Sequence, residues 1–319
     1  MPAPAATGSM TPEEGPQSTP APVSDGEASG APLGAAWRST LVCAVAGAVS
    51  TVPHVHTALW WLSLITTAVL AACVWRAQRP AQAALIGGAF GTGWLVAGTW
   101  WLFISLHTYG GLAAPLAAWA VLLLSAALSL YLAAAMAWVG AYRCGRLLPD
   151  LATFTGAWLL AELARGVLFT GFPWAAVGYA QVDGPLAHLA PWVGVYGMGA
   201  AVAALGGLLA WPWAGGSSQS LRWLAIPTAF ALLALCPLAA IDRTESTGTL
   251  RVSLVQTAVS QDEKFSSAAM PQALAWLAHA LAEAQGDLVV APETAVPLLP
   301  ADLPADVWAD LIAPFDGTG

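Results

Sequence analysis

Charged residues are scarce in this chain of 319 residues. Asp, Glu, Lys and Arg make up 9% of it and hydrophobic residues 58%, whereas a soluble domain usually has about 25% charged residues. So few charges cannot cover a water-exposed surface, which excludes a cytosolic enzyme and a disordered regulator. The ten basic residues form no basic patch, which excludes a nucleic-acid binder. The composition indicates a membrane protein with a polar part attached.

Cysteines and possible metal ligands are also few. Three of the four cysteines fall in predicted helices and the fourth in a predicted cytoplasmic loop, so we expect no disulfide. They are Cys43, Cys73, Cys236 and Cys144. His54 and His56 have no Cys, Asp or Glu close to them in the sequence, so we expect neither a metal site nor another cofactor.

The first 36 residues differ in composition from the rest of the chain. They are rich in Ala, Pro, Gly, Ser and Thr and contain no Lys or Arg. Such a segment cannot bury enough apolar surface to fold, and it lacks the basic and apolar regions of a signal peptide. We therefore predict a disordered tail that is not cleaved.

Seven apolar segments lie between residues 37 and 241. Crossing about 30 Å of hydrocarbon takes about 20 helical residues, and each segment is close to that length. The predicted spans are 37–54, 57–75, 83–106, 115–141, 151–169, 186–212 and 222–241. The pattern predicts an α-helical membrane domain of about seven helices.

The arginines predict the orientation of these helices. Six of them occur in every second connection, and the loops at 53–57, 107–115 and 170–185 contain none. These six are Arg38, Arg76, Arg79, Arg143, Arg146 and Arg222. Because basic residues concentrate in cytoplasmic loops, we expect a cytoplasmic N-terminus and, after seven crossings, a segment after Ile241 on the outer face. In a bacterial inner membrane that face is periplasmic.

Two charged residues lie within the fifth predicted helix. Glu162 and Arg165 are three positions apart and therefore share one face. Unpaired charges are costly in a membrane, so the two should neutralise each other. Two roles remain equally open: an internal ion pair that fixes helix packing, or a binding site for a charged lipid headgroup near the outer leaflet.

The loop after this helix is dense in aromatic residues, glycine and proline. Phe172, Trp174 and Tyr179 lie in it, on the predicted outer side. The loop is either an interfacial turn anchored by its aromatic rings or the mouth of a lipid-binding site. Spacing alone does not separate these two interpretations.

The hydrophobic pattern changes after Ile241. Leu250, Val252 and Leu254 alternate with other residues and predict a half-buried strand, and the segment 288–291 predicts a second strand. Between them Leu274, Leu277, Ala278 and Leu281 form the stripe of an amphipathic helix, with Gly286 placed to cap it. Glu293 comes after the second strand, where α/β sheets gather catalytic groups. It is either a catalytic carboxylate or a solvated loop residue.

Three stretches of the chain carry a family resemblance. The first, AALIGGAFGTGWLVAGTWWLFISLHTYGG, and the second, AELARGVLFTGFPWAAVGYAQVDGPLAHLAP, resemble the apolipoprotein N-acyltransferase family of bacterial inner-membrane enzymes. The third is LRVSLVQTAVSQDEKF followed by LVVAPETAVP, which is similar to the start of a nitrilase-type domain. The resemblance implies a membrane domain followed, over residues 250–319, by part of an α/β nitrilase-like αββα sandwich.

The resemblance also implies a reaction and its partners. A Glu general base activates a Cys nucleophile, which takes an acyl chain from a phospholipid as a thioester, and a Lys stabilises the oxyanion. The acceptor is the α-amine of a diacylglyceryl-cysteine at a lipoprotein N-terminus. Glu293, within APETAVP, matches the position of the family's base.

The sequence also departs from the family pattern. About seventy residues come after Leu250, fewer than a nitrilase domain needs, and Lys264 lies in a different stretch from the family's catalytic Lys. No cysteine precedes a Tyr-Glu or Phe-Glu pair, so none is assigned as the nucleophile. We therefore expect an N-terminal fragment that is inactive alone. A lipid-binding remnant without activity and a transporter remain the alternatives.

Overall fold

The computed structural model describes residues 33–214, 223–240, 244–257, 268–293, 295–296 and 298–315, together with Met1, Ala5 and Gly8. It divides the chain into two compact units, Met1–Ile241 and Asp242–Gly319. Almost all of the predicted N-terminal tail, residues 1–36, lies outside the described residues. Lys264 and Arg222 also lie outside them.

The first unit consists of helices. They are α1 (Leu33–Val49), α2 (Val52–Val55), α3 (Trp61–Trp75), α4 (Pro80–Gly98), α5 (Trp101–Ile104), α6 (Ala114–Tyr142), α7 (Leu147–Val167), α8 (Ala190–Ala210) and α9 (Ala225–Leu235). Shorter helical turns come after several of them, among them Ser105–Tyr109, Leu168–Thr170, Val177–Gln181 and Cys236–Ala239. The prediction of a largely helical membrane protein is confirmed.

Three helical segments of the described chain are long and apolar enough to cross a membrane. They are Ala114–Tyr142, Leu147–Thr170 and Pro185–Trp213. A fourth crossing is formed if Pro80–Gly98 and Trp101–Tyr109, which are bent by 55° relative to each other, count as one span. The apolar helices Trp61–Trp75 and Ala225–Ala239 are shorter. The number of seven crossings remains a prediction.

The third predicted span, 83–106, is broken rather than continuous. Thr99 leaves the helical conformation at φ −121° and ends α4. The Thr99 hydroxyl donates to the carbonyl of Leu95 at 2.7 Å. Such side-chain hydrogen bonds to the preceding turn compete with the backbone hydrogen bonds of a helix and often bend it. A run of apolar residues predicts a long helix but does not reveal such a break.

The helices pack closely where glycine removes the side chain. A Cβ atom at Gly47 of α1 would overlap the carbonyl of Phe90, and one at Gly93 of α4 would overlap the carbonyl of Ala44. The backbones of α1 and α4 therefore touch, as small residues permit between membrane helices. Nearby, the buried rings of Trp94 and Trp158 stack with centroids 5.8 Å apart.

The described part of the second unit contains a parallel strand pair and two α-helices. β1 (Val252–Leu254) pairs with β2 (Leu288–Val290) in the register Val252 with Leu288, and α10 (Met270–Glu283) connects them. Leu274 and Leu277 of α10 are buried, as the stripe predicted. The helix α11 (Ala305–Ile312) packs on α10 through Leu311.

Two details of this unit differ from the predictions. Val252 and Leu254 are exposed, whereas Val255, just after β1, is half-buried against the cluster that contains Leu277. Gly286 does not cap α10, which ends at Ala284 in an extended conformation. A Cβ atom at Gly286 would lie 2.9 Å from the amide nitrogen of Ser253, so the glycine permits close approach to β1.

Candidate functional site

A buried polar network surrounds Glu162 on α7. Its Oε2 accepts a hydrogen bond from Trp158 Nε1 at 2.9 Å, and its Oε1 accepts one from the backbone N–H of Val177 at 3.0 Å. Only 3% of Glu162 is exposed. A Cβ atom at Gly199 of α8 would overlap the carboxylate, so that glycine leaves the space the carboxylate occupies.

Arg165 links this carboxylate to the loop after α7. Its Nη2 lies 3.8 Å from Glu162 Oε1, and its Nη1 donates to the carbonyl oxygens of Phe172 and Trp174, both at 2.7 Å. The guanidinium carbon lies 5.1 Å from the ring centroid of Trp94, within cation–π range. One buried cation therefore holds two carbonyls of the loop against α7.

The loop that Arg165 holds has an unusual backbone. Three non-glycine residues have positive φ: Phe169 at 51°, Thr170 at 74° and Ala175 at 58°. Each such conformation costs of order 1–3 kcal/mol and persists where surrounding contacts impose it. The backbone N–H of Phe172 donates to the carbonyl of Arg165 at 2.7 Å, which adds to these contacts. The loop therefore has one defined shape.

The aromatic side chains of the loop present an exposed surface. The ring centroids of Phe172 and Trp174 are 5.6 Å apart, and Trp174 also lies 6.4 Å from Trp101 of α5. Trp174 is 53% exposed and Tyr179 is 58% exposed. Half-exposed aromatic rings of this kind suit the boundary between lipid and water.

A large apolar groove lies between α6 and α7. Its volume is about 1120 Å³, and Phe172 lies at the end formed by the loop. Glu162 and Arg165 do not line it; they line a much smaller cavity of about 10 Å³ that shares Leu128, Tyr131 and Ala161 with the groove. The ion pair is thus separated from the groove by those three side chains.

Glu293 lies in the second unit, in the turn after β2. Its side chain is exposed, at the edge of the sheet where the two parallel strands end. All four cysteines belong to the first unit: Cys43 is buried, Cys144 is exposed, and Cys73 and Cys236 are intermediate. Glu293 therefore has no cysteine in its own unit.

The membrane domain matches a known family. The family model for the apolipoprotein N-acyltransferase N-terminal domain matches residues 46–208, just over half of the chain. The chain belongs to the apolipoprotein N-acyltransferase family. The matched region contains α6, α7, the Arg165 network and the aromatic loop.

Individual relatives share this assignment. The chain is 48% identical over 267 residues to the apolipoprotein N-acyltransferase of Verminephrobacter eiseniae, which covers 77% of this chain and 48% of the relative. It is 41% identical over 299 residues to that of Ralstonia nicotianae, covering 92% of this chain and 56% of the relative. The chain thus spans about half the length of these curated relatives.

In this member of the N-acyltransferase family, the structure brings together four of the six predicted site residues. Glu162, Arg165, Phe172 and Trp174 form one connected group. Tyr179 lies further along the same loop, in the turn Val177–Gln181. Glu293 belongs to the other unit.

Sequence reasoning missed the residues that hold the loop from its other side. His54 Nε2 is hydrogen-bonded to the carbonyl of Ala176 at 3.2 Å, and Gln181 Nε2 donates to Ser63 Oγ at 2.6 Å. Thr57 donates to the carboxylate of Asp183. These contacts join positions more than 110 residues apart, which no local pattern reveals. Trp158 could have been found, because it lies one helical turn before Glu162.

Proposed function

We propose that this chain forms the membrane domain and the beginning of the catalytic domain of an apolipoprotein N-acyltransferase. The reaction transfers an acyl chain from a phospholipid to the N-terminal amine of a diacylglyceryl-cysteine in a lipoprotein, the last step of lipoprotein maturation. Membership of the family over residues 46–208 is the observation that carries this proposal. The relatives' name supplies the reaction and the acceptor.

Glu293 is the proposed general base. It removes the proton from a cysteine thiol, and the thiolate attacks the ester carbonyl of the phospholipid. The tetrahedral intermediate is stabilised by a lysine and collapses to a thioester, while the lysophospholipid leaves with the proton. The lipoprotein amine then attacks the thioester, which forms an amide and restores the thiol. We assign neither the cysteine nor the lysine to a residue of this sequence.

The proposed topology is seven crossings in the bacterial inner membrane, with a cytoplasmic N-terminus and a periplasmic second unit. The distribution of arginines supports this orientation. The αββα nitrilase-like fold of the second unit is likewise proposed, and the parallel order of β1, α10 and β2 is compatible with it. Catalysis would then take place where lipoprotein N-termini are exposed.

The aromatic loop is the proposed entrance for lipid. Phe172, Trp174 and Tyr179 supply its rings, and Glu162 and Arg165 act from behind by holding its backbone. These contacts favour the first alternative for the charged pair, an internal ion pair that fixes packing and so positions the loop, over direct binding of a charged lipid headgroup. The groove beside Phe172 also favours a second candidate function, lipid binding without turnover.

A transfer assay with purified protein distinguishes these functions. We define the completed enzyme as this chain joined to the remaining C-terminal part of the Verminephrobacter eiseniae relative. Both it and the 319-residue chain are given a phospholipid with a labelled acyl chain and a diacylglyceryl-cysteine peptide. We expect labelled peptide from the completed enzyme only. Retention of labelled lipid by both proteins with no transfer by either would favour the binding function.

A further inference from the structure

The groove between α6 and α7 extends along about half of α6 and most of α7. On α7 its lining runs from Ala152 to Ala164 and continues through the turn to Leu168, and on α6 it runs from Leu124 to Trp138. At 1.5 Å per residue these stretches measure about 24 Å and about 21 Å. One leaflet of hydrocarbon is about 15 Å deep, half of the whole core. The groove is therefore long enough for an extended acyl chain.

Small residues make the groove deep. Gly156 lies on α7 within the lining, and a Cβ atom added there would meet no atom within 4 Å. Other members of the lining are also small, namely Ala127, Ala134, Ala152 and Ala164. Gly156 thus faces open space, in contrast to Gly47 and Gly93, where helices touch.

The loop defines one end of the groove. Leu168, Phe169, Thr170, Gly171 and Phe172 all line it. This is the segment with positive φ at Phe169 and Thr170 that Arg165 holds through the carbonyl of Phe172. The other end, near Trp138 and Ala152, has no comparable turn in its lining.

These features favour a lipid chain over a protein helix as the occupant. A transmembrane helix must cross about 30 Å of hydrocarbon, which is longer than the lined stretches of about 24 Å and about 21 Å on α7 and α6. An acyl chain needs to reach only from the headgroup region into the membrane. Its methylene groups would make van der Waals contacts in the space beside Gly156, and packing of this kind drives association inside the hydrocarbon of a membrane.

We propose that this groove binds one acyl chain of a membrane phospholipid, with its ester end at Leu168–Phe172 and its methyl end beyond Gly156, and that Gly156 sets the chain length accepted. The proposal rests on the proposed function for the statement that the bound lipid is the acyl donor. Gly156 lies about 18 Å from Leu168 along α7. A large side chain there leaves the upper groove open and closes the lower part.

Binding is tested first, without any need for activity. The 319-residue chain is placed in nanodiscs that contain a phosphatidylethanolamine with a diazirine near the methyl end of a palmitoyl chain, and is cross-linked and mapped by mass spectrometry. We compare the unaltered chain with Gly156→Trp and with Ala120→Trp, a control on the exposed surface of α6 outside the groove. The expected result is labelling around 152–160 that falls at least fivefold in Gly156→Trp alone.

Two results would overturn the binding proposal. One is the same label distribution in all three proteins at equal thermal stability. The other is a dimer that Gly156→Trp dissociates, which would assign the groove to a second copy of the chain. Because a Cβ atom added at Gly156 would meet no atom of another element within 4 Å and glycine is a poor helix former, we expect the variant to fold.

Chain-length selection is tested in the completed enzyme with donors of 12, 14, 16 and 18 carbons. Gly156→Leu should lower the transfer rate from 16- and 18-carbon donors at least tenfold relative to the 12-carbon donor, and Ala120→Leu should not. An unchanged profile in Gly156→Leu would refute the role of Gly156. Absence of transfer by the unaltered completed enzyme would instead refute the proposed function, while the cross-linking result would still decide whether lipid binds.

Discussion

At the scale of single residues, one buried guanidinium organises the loop that follows α7. Arg165 directs its hydrogen bonds to two backbone carbonyls rather than mainly to its neighbouring carboxylate, and Glu162 accepts from Trp158 and Val177. A buried ion pair gains stability only when further hydrogen bonds satisfy both partners. Arg165 Nη1 and both carboxylate oxygens of Glu162 make such bonds, to the loop and to Trp158, whereas Arg165 Nη2 makes none within the described residues. Charge neutralisation and loop geometry therefore depend on each other.

Replacing Arg165 by Met should therefore destabilise the protein strongly. It leaves the Glu162 carboxylate buried without its cation and frees the carbonyls of Phe172 and Trp174, and breaking a buried pair costs about 3–5 kcal/mol. We expect a lower unfolding temperature and faster amide exchange at 171–177. The matched control is Arg251→Met, which breaks the exposed pair with Asp287 and should change the unfolding temperature far less.

A double variant separates the two contributions of this pair. Glu162→Gln combined with Arg165→Met should destabilise the protein less than the sum of the two single changes. Each single change leaves the charge of the other residue buried without its partner, and the double change removes both charges. Strict additivity would contradict the account of the network.

The exposed ring of Trp174 should contribute to lipid use. It packs on Phe172 and Trp101, and losing aromatic contacts of this kind costs about 0.5–1.5 kcal/mol beyond the area lost. In the completed enzyme, Trp174→Ala should raise the KM for phospholipid by up to about tenfold. Trp223→Ala, which removes a similarly exposed ring that packs on Trp213, is the control. Unchanged kinetics in Trp174→Ala would remove the loop from the proposed lipid entrance.

At the scale of secondary-structure elements, hydrophobic pattern predicted the order of helices and strands better than their ends. The stripe of Leu274 and Leu277 identified α10, and alternation identified β1. The break at Thr99 and the role of Gly286 depend on contacts that a pattern does not contain. The exposure of Val252 and Leu254 was not predicted, since alternation predicts a strand with two faces and does not say which of them is buried.

The contact between Arg251 and Asp287 joins the beginning of β1 to the beginning of β2. The backbone N–H of Arg251 donates to Asp287 Oδ2 at 3.0 Å, and its Nη2 lies 3.3 Å from Oδ1. These hydrogen bonds lower the pKa of Asp287 below its ordinary value. A lowered pKa means that the contact stabilises the strand pair above about pH 4, the ordinary range of Asp, and that this contribution is lost as the pH falls through the lowered value.

An NMR titration of the Asp287 carboxyl carbon tests this contact. We expect its pKa to lie below the ordinary value in the unaltered chain and to rise in Arg251→Met, although the backbone hydrogen bond remains. The same pKa in both proteins would show that the guanidinium does not act on the carboxylate.

At the scale of the whole molecule, the two units contribute different parts of the proposed enzyme. The first contains the family-matched membrane domain with the groove and the loop, and the second contains Glu293 after a short parallel strand pair. Composition and the spacing of arginines predict the membrane character and the orientation. The groove was not predicted, because residues of both α6 and α7 line it and the sequence of either helix alone does not show how the two pack.

The most direct test of the central claim is rescue of lipoprotein N-acylation in living cells. Bacteria depleted of their own N-acyltransferase receive the completed enzyme, its Glu293→Gln variant, or a Glu283→Gln control from the exposed end of α10, and the N-termini of their lipoproteins are analysed by mass spectrometry. The account predicts triacylated N-termini with the completed enzyme and the control and diacylated ones with Glu293→Gln. Full N-acylation by the Glu293→Gln variant would contradict the assignment of the base, and none by the completed enzyme would contradict the function itself.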